Sequence, residues 1–388
     1  AANTLTTVAG IPFYTGDTGS IYTHNVSGTD DTAQYNTAYG LTALDAITTG
    51  DGNTAVGNAA MGANNTGAYN AAFGVDSLRD NTSGDFNTAL GRAAMQSNTT
   101  ADGNTAIGRN AMYSNTTGTR NLAIGALAYD ASDTENDNIA IGHGATTSGS
   151  ANIAIGTDAL LVATTGSNNI GIGTNALKAH TTGANNVALG TNALEDNTSG
   201  HENTAIGRYA LKGNTTGQEN TGLGNAAGEN ITTGDYNTAI GSSSLAAVTT
   251  TSSNTAVGAL ALTVNVASNN TAVGTGAASA TTTGASNVAI GVNALDLNVG
   301  GAYNVAVGHL CNDTATGSSN NVAMGYNALS AACGSNNTAI GHQCMKSSTS
   351  TYSTAMGYNA LTGAGGAYAC AFGMNAGAAN TANSTIAI

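Results

Sequence analysis

The chain is short of charge. Only 8% of its 388 residues are Asp, Glu, Lys or Arg, against about a quarter in an ordinary globular domain. Eight Lys and Arg stand against 22 Asp and Glu, for a formal net charge of −14. A surface that tracks a phosphate backbone needs clustered cations, which excludes nucleic acid as a partner. Trp is absent, Pro occurs once, at Pro12, and aromatics make up 5%. No apolar run reaches the roughly 20 residues that a membrane-spanning helix needs. The H-E-x-x-H, G-x-S-x-G and phosphate-loop motifs are missing, as is the Gly-Gly-x-Gly-x-Asp calcium repeat. The four cysteines, Cys311, Cys333, Cys344 and Cys370, contain no C-x-x-C pair. The sequence therefore offers no catalytic, cofactor or metal site, and the expectation is a protein that is not an enzyme.

What is there is a repeat. Asn104-Thr105-Ala106-Ile107-Gly108 returns at Asn121, Asn203, Asn220, Asn237 and many places between, from Asn36 to a last weak copy at Thr385. The interval is 16 or 17 residues, except for one of 14 between Asn138 and Asn152. High Gly, Ala, Thr and Asn could signal disorder, but a disordered chain has no reason to keep register. A fixed short period means a solenoid with one repeat per coil. Two regions follow: residues 1–35 as an N-terminal cap or attachment segment, and residues 36–388 as the repeat shaft of about 22 coils.

Number the motif Asn as position 0. Position 2 is always Ala or Gly, position 4 is Gly in complete copies, and position 7 is Ala, Ser or Cys. Position 3 is large and apolar, and position 8 is mostly Leu or Met. This predicts an all-β fold, a parallel β-solenoid or β-roll. Each coil would carry one strand over positions 0–4 and a second near positions 6–10. Gly108, Gly125, Gly207, Gly224 and Gly241 would mark turns or close backbone approaches. Asn104, Asn121, Asn203, Asn220 and Asn237 would stack, each amide donating to one neighbour and accepting from the other. Asn115-Thr116-Thr117-Gly118 reads as a turn. Successive strand residues point to opposite faces. Small residues at position 2 and large apolar ones at position 3 then predict burial of both faces. One roll buries only one of them, so the other predicts packing against further copies, as a homotrimer.

The unit Asn-Thr-Ala-Ile-Gly, followed by Ala-Leu and Asn-Thr-Thr-Gly, resembles two groups. One is the shaft repeat of phage tail fibres. The other is the head repeat of trimeric autotransporter adhesins, which forms a left-handed parallel β-roll in a trimer. The likeness covers residues 36–388. It implies a structural, adhesive, extracellular fibre, on a virion or a cell surface, that attaches to a cell. The sequence departs from these groups in showing no heptad stalk, membrane anchor or chaperone domain, and it stops mid-motif at Ile388. The alternative is the subunit of a self-assembling extracellular filament. In that reading Thr4–Gly10 of one copy pairs with the open last coil of another.

Position 5 carries His309, Tyr326, His342 and Tyr358 on four consecutive coils, with Tyr303, Tyr352 and Tyr368 just before position 0. Plain cross-coil stacking explains such a ladder most simply. The functional reading is a site for cell-surface glycans, since aromatic faces with polar edges suit sugar rings. Asp85, Asp102, Glu202, Glu219 and Asp235 read as solvated charges rather than Ca²⁺ ligands, which would have to supply six or more oxygens. Thr at position 1 with a large apolar residue at position 3 does not make the flat Thr-x-Thr rows of an ice-binding face.

Overall fold

The computed structural model describes residues 6–8, 11–15, 20–23, 32–130, 134–146, 148–162, 165–314, 316–331, 333–363, 366–379 and 382–388. No helix occurs among them; the chain is a parallel β-solenoid of about twenty coils with repeats of about 17 residues. It divides into two compact units, Ala1–Ala188 and Leu189–Ile388.

The first unit opens with β1 (Thr6–Val8), β2 (Ile11–Thr15) and β3 (Ile21–Tyr22), successive strands pairing antiparallel. β3 then pairs parallel with β4 (Thr37–Tyr39), so the parallel ladder begins before Asn36. Most of the segment 1–35 lies outside the described residues, as do Thr4, Leu5, Ala9 and Gly10 of the stretch expected to join copies end to end. From Thr37 to Ile172 every coil contributes one three-residue strand over positions 1–3. Like positions lie side by side, as in Thr105 beside Leu122, Ala106 beside Ala123 and Ile107 beside Ile124. The second unit repeats this arrangement from Thr204–Ile206 to Ile386–Ala387.

The second strand expected near positions 6–10 does not form. Positions 6 and 8 take left-handed backbone angles, +55° at both Asn110 and Met112, and a pleated strand cannot hold that alternation. The stretch is instead a turn that stacks on its neighbours: the Met112 N–H donates to the Ala128 carbonyl at 2.8 Å. Left-handed backbone puts position 8 inward despite its strained angle, so Met95, Met112, Leu177 and Leu211 are fully buried.

Position 2 faces the interior of the coil. Ala106, Ala123, Ala205 and Ala239 are fully buried, and their small size lets the opposite wall come close. Position 3 faces out. Ile206 is 39% exposed and Leu223 43%, while position 1 is half-buried. The single chain thus buries one strand face, as one coil has only one inside, and leaves the other open. The glycines at position 4 answer to two constraints. Gly108 has φ +138°, and a Cβ there would lie 2.4 Å from the Gly125 carbonyl oxygen of the next coil. Gly125, Gly207, Gly224 and Gly241 share the same angle range and the same approach.

Candidate functional site

The interior is held by side-chain ladders. In the row at position 0, the Asn104 Oδ1 accepts the Asn121 N–H at 2.8 Å, and the Asn104 Nδ2 donates to the Gly118 carbonyl at 2.8 Å. Asn203 and Asn220 repeat this, accepting the N–H of Asn220 and Asn237 at 2.9 Å and donating to Gly217 and Gly234. The expected amide-to-amide bond forms at some steps, as from Asn237 to Asn220 at 3.1 Å, beside one bond to the next backbone N–H and one within the coil. A coil's own position-14 carbonyl lies nearer than the next amide. Each fully buried Asn satisfies a backbone donor and a backbone acceptor that the three-residue strand leaves over.

A second row went unread in the sequence. Position 11, which opens the polar turn Asn115-Thr116-Thr117-Gly118, is buried. Asn81 donates to the Asn64 Oδ1 and Asn98 to the Asn81 Oδ1, both at 2.8 Å, while each also bonds the carbonyl three residues on. The signal was present as Asn-x-x-Gly at a fixed offset. In that row His180 replaces Asn and sets its Nε2 2.7 Å from the Gly183 carbonyl; burial pushes its pKa below the ordinary 6.5.

A third row lies at position 15. Asp85, Asp102 and Asp235 are not idle solvated charges. Their Oδ1 atoms accept the N–H of Ala68, Asp85 and Gln218, at 2.7, 2.8 and 2.8 Å. Elsewhere Ser and Asn take the same part, as Ser167 does for Ser150. Among the described residues no three His, Cys, Asp or Glu converge as a metal site. Cys311, Cys333 and Cys344 are buried free thiols, which burial pushes up to about 12, 11 and 11.

The coil between Asn138 and Asn152 is three residues short. Tyr129, at position 8 of the coil before, is fully buried. Its hydroxyl donates to the Glu135 carbonyl at 3.2 Å and accepts from the Asn138 Nδ2 at 3.1 Å. A notch of about 320 Å³ lies here, lined by Leu127, Asp130, His143, Gly144, Thr146, Asp158 and Leu161. Burial pushes the Asp130 carboxyl up, and Arg109 pulls it back in part.

The position-5 residues come together in the second unit as expected. His309, Tyr326, His342 and Tyr358 form one continuous stack, with centroids 5.5, 5.1 and 5.2 Å apart and interplanar angles of 18°, 27° and 13°. Tyr352 and Tyr368 stack separately at 5.4 Å. The rings cover one another's faces, so a ligand lying along the ladder meets ring edges. Sequence reasoning missed the row beside them. Position 6 carries Asn327, Gln343, Asn359 and Asn375, all with φ between 51° and 59°. Their N–H groups donate to the carbonyls of His309, Tyr326, His342 and Tyr358 on the preceding coil. No family model matches the chain, and no curated protein is significantly similar to it.

Proposed function

We propose that this protein is the shaft of an extracellular fibre that assembles as a homotrimer and serves attachment to a cell surface, without enzymatic activity. The observation that carries the reading is the outward strand face of each unit. Positions 1 and 3 hold no charged residue from Thr37 to Ile388, in a chain of net charge −14. Position 3 instead presents Phe73, Leu90, Ile172, Ile206, Leu223, Ile290, Met324 and Phe372, each 36–48% exposed. A strand face three residues wide is about 10 Å across and rises about 4.8 Å per coil, so ten coils offer about 500 Å². One such stripe already reaches the few hundred Å² that monomers leave open. Each unit's stripe by itself amounts to more than half of the roughly 800 Å² per partner of a stable interface. Packing copies of this face together brings no acid against acid. The repeat's resemblance to tail-fibre shafts and adhesin heads supports the extracellular setting.

Sedimentation tests the assembly. The wild-type chain is expected to run as a trimer. Ile206→Asp with Leu223→Asp, both on the exposed face, should release folded monomers with unchanged far-UV circular dichroism. A wild-type monomer in dilute buffer removes the proposal, and open-ended polymers in electron micrographs favour the filament alternative.

A further inference from the structure

We infer that the position-5 and position-6 rows from His309 to Asn375 form a binding strip for a neutral, extended β-1,4-linked hexopyranose chain. The inference takes its extracellular setting from the fibre reading and rests otherwise on the strip itself.

The strip is a built and repeating hydrogen-bonding edge. Tyr326 is 42% exposed and Tyr358 49%, and neither phenol hydroxyl bonds a protein group among the described residues. The side-chain amides of Asn327, Gln343, Asn359 and Asn375 are likewise free of protein partners there. Three consecutive coils carry a ring and a primary amide at successive positions, Tyr326-Asn327, His342-Gln343 and Tyr358-Asn359, and an amide offers both donors and an acceptor to a hydroxyl pair. The rings hold each other in place, and the position-6 N–H bonds fix the backbone. Little order is therefore lost when a ligand binds.

The spacing selects the ligand. Successive rings stand 5.1–5.5 Å apart, and the His–Tyr alternation repeats every second coil. An extended β-1,4-linked hexopyranose advances by close to one coil per sugar. Its successive rings are flipped, so like edges recur on every second sugar. Both periods of the chain match those of the strip. An α-1,4-linked glucan coils away and meets only one or two rungs. Charge selects further: positions 5 and 6 carry no Asp, Glu, Lys or Arg from 309 to 375, and the net charge of −14 disfavours acidic polysaccharides. The primary amides suit plain hydroxyls and N-acetyl groups alike, so glucan and N-acetylglucosamine chains are the two sources to separate.

Isothermal titration of the full chain with cellohexaose, chitohexaose and maltohexaose tests this. Cellohexaose or chitohexaose should bind and maltohexaose should not; whichever binds names the source. Tyr326→Phe with Tyr358→Phe keeps the stack and removes two hydroxyls. Asn327→Gly with Asn359→Gly keeps the left-handed backbone and removes two amides. Each pair should weaken binding at least about tenfold, the worth of one or two good hydrogen bonds. No heat with either β-linked hexaose at millimolar concentration overturns the inference, as does equal binding of maltohexaose or wild-type affinity in both double variants. Sedimentation of the same samples reports on assembly independently, so failure of the strip and failure of the fibre reading are separate results.

Discussion

A histidine in a row that holds buried Asn, and in places Ile47, Ile231, Val248 and Thr281, shows that position 11 demands burial before it demands one residue type. His180 reaches the Gly183 carbonyl as Asn197 reaches that of Gly200 one coil on, but it can titrate where Asn cannot. Its pKa lies below 6.5 in the folded state because burial opposes the charged ring, with the Gly183 bond opposing that shift only in part. The unfolded chain therefore binds more protons on falling through pH 6.5, and the stability contributed by neutral His180 is present above that pH and lost below it. His180→Asn should melt close to wild type at pH 8 and above wild type at pH 5. Thermal melts that stay parallel between the two pH values would show that His180 does not sense acid. This role was not legible in the sequence, because position 11 sits in a run of Asn, Thr and Gly that reads as solvent-facing. Only its repetition at the same offset as position 0 hinted at burial.

At the scale of the strand, composition told the inner face from the outer one imperfectly. Ala at position 2 and Gly at position 4 were correctly read as confined, since only contact with another wall forbids larger residues. Position 3 left the choice of face open, because Ile, Val and Leu there look like core yet point outward in the single chain, as Ile206 and Leu223 do. The second strand was misread for a related reason. Alternation of small and large residues at positions 6–10 mimics a strand, while the left-handed angles at Asn110 and Met112 leave no mark beyond an occasional Asn or Gly. The aromatic ladder was legible because column spacing alone aligns it. The amide row beside it was not, since Asn is common everywhere in this chain. The inner and outer faces make a direct comparison possible. Ala106 is fully buried against the opposite wall, so Ala106→Leu should cost about 1–3 kcal/mol from overpacking. Ile107, half-buried on the outer face, loses one methylene in Ile107→Val and should cost no more than about 0.5 kcal/mol, the low end for that change. Coincident denaturation midpoints for the two variants would mean that position 2 is not confined.

Taken unit by unit, the molecule is a one-dimensional array in which each coil bonds only to the one before and the one after. The backbone bonds between strands, the Asn rows and the acidic row all run from coil to coil, as from Asn121 to Asn104 and from Ala68 to Asp85. A pulling force applied to the two ends of a unit's chain therefore meets these bonds one coil at a time rather than all together. Such a unit should peel like a zip under modest load. Each event should release about 50–55 Å of thread, from 17 residues at roughly 3.3–3.6 Å each less one coil height. In the first unit one step should be shorter by roughly 10 Å, because the coil from Asn138 to Asn152 has three residues fewer. Single-molecule stretching that shows the whole unit giving way in one event would contradict this. Copies locked side by side along the outer strand face would share that load, turning a thread that peels into a cable that does not.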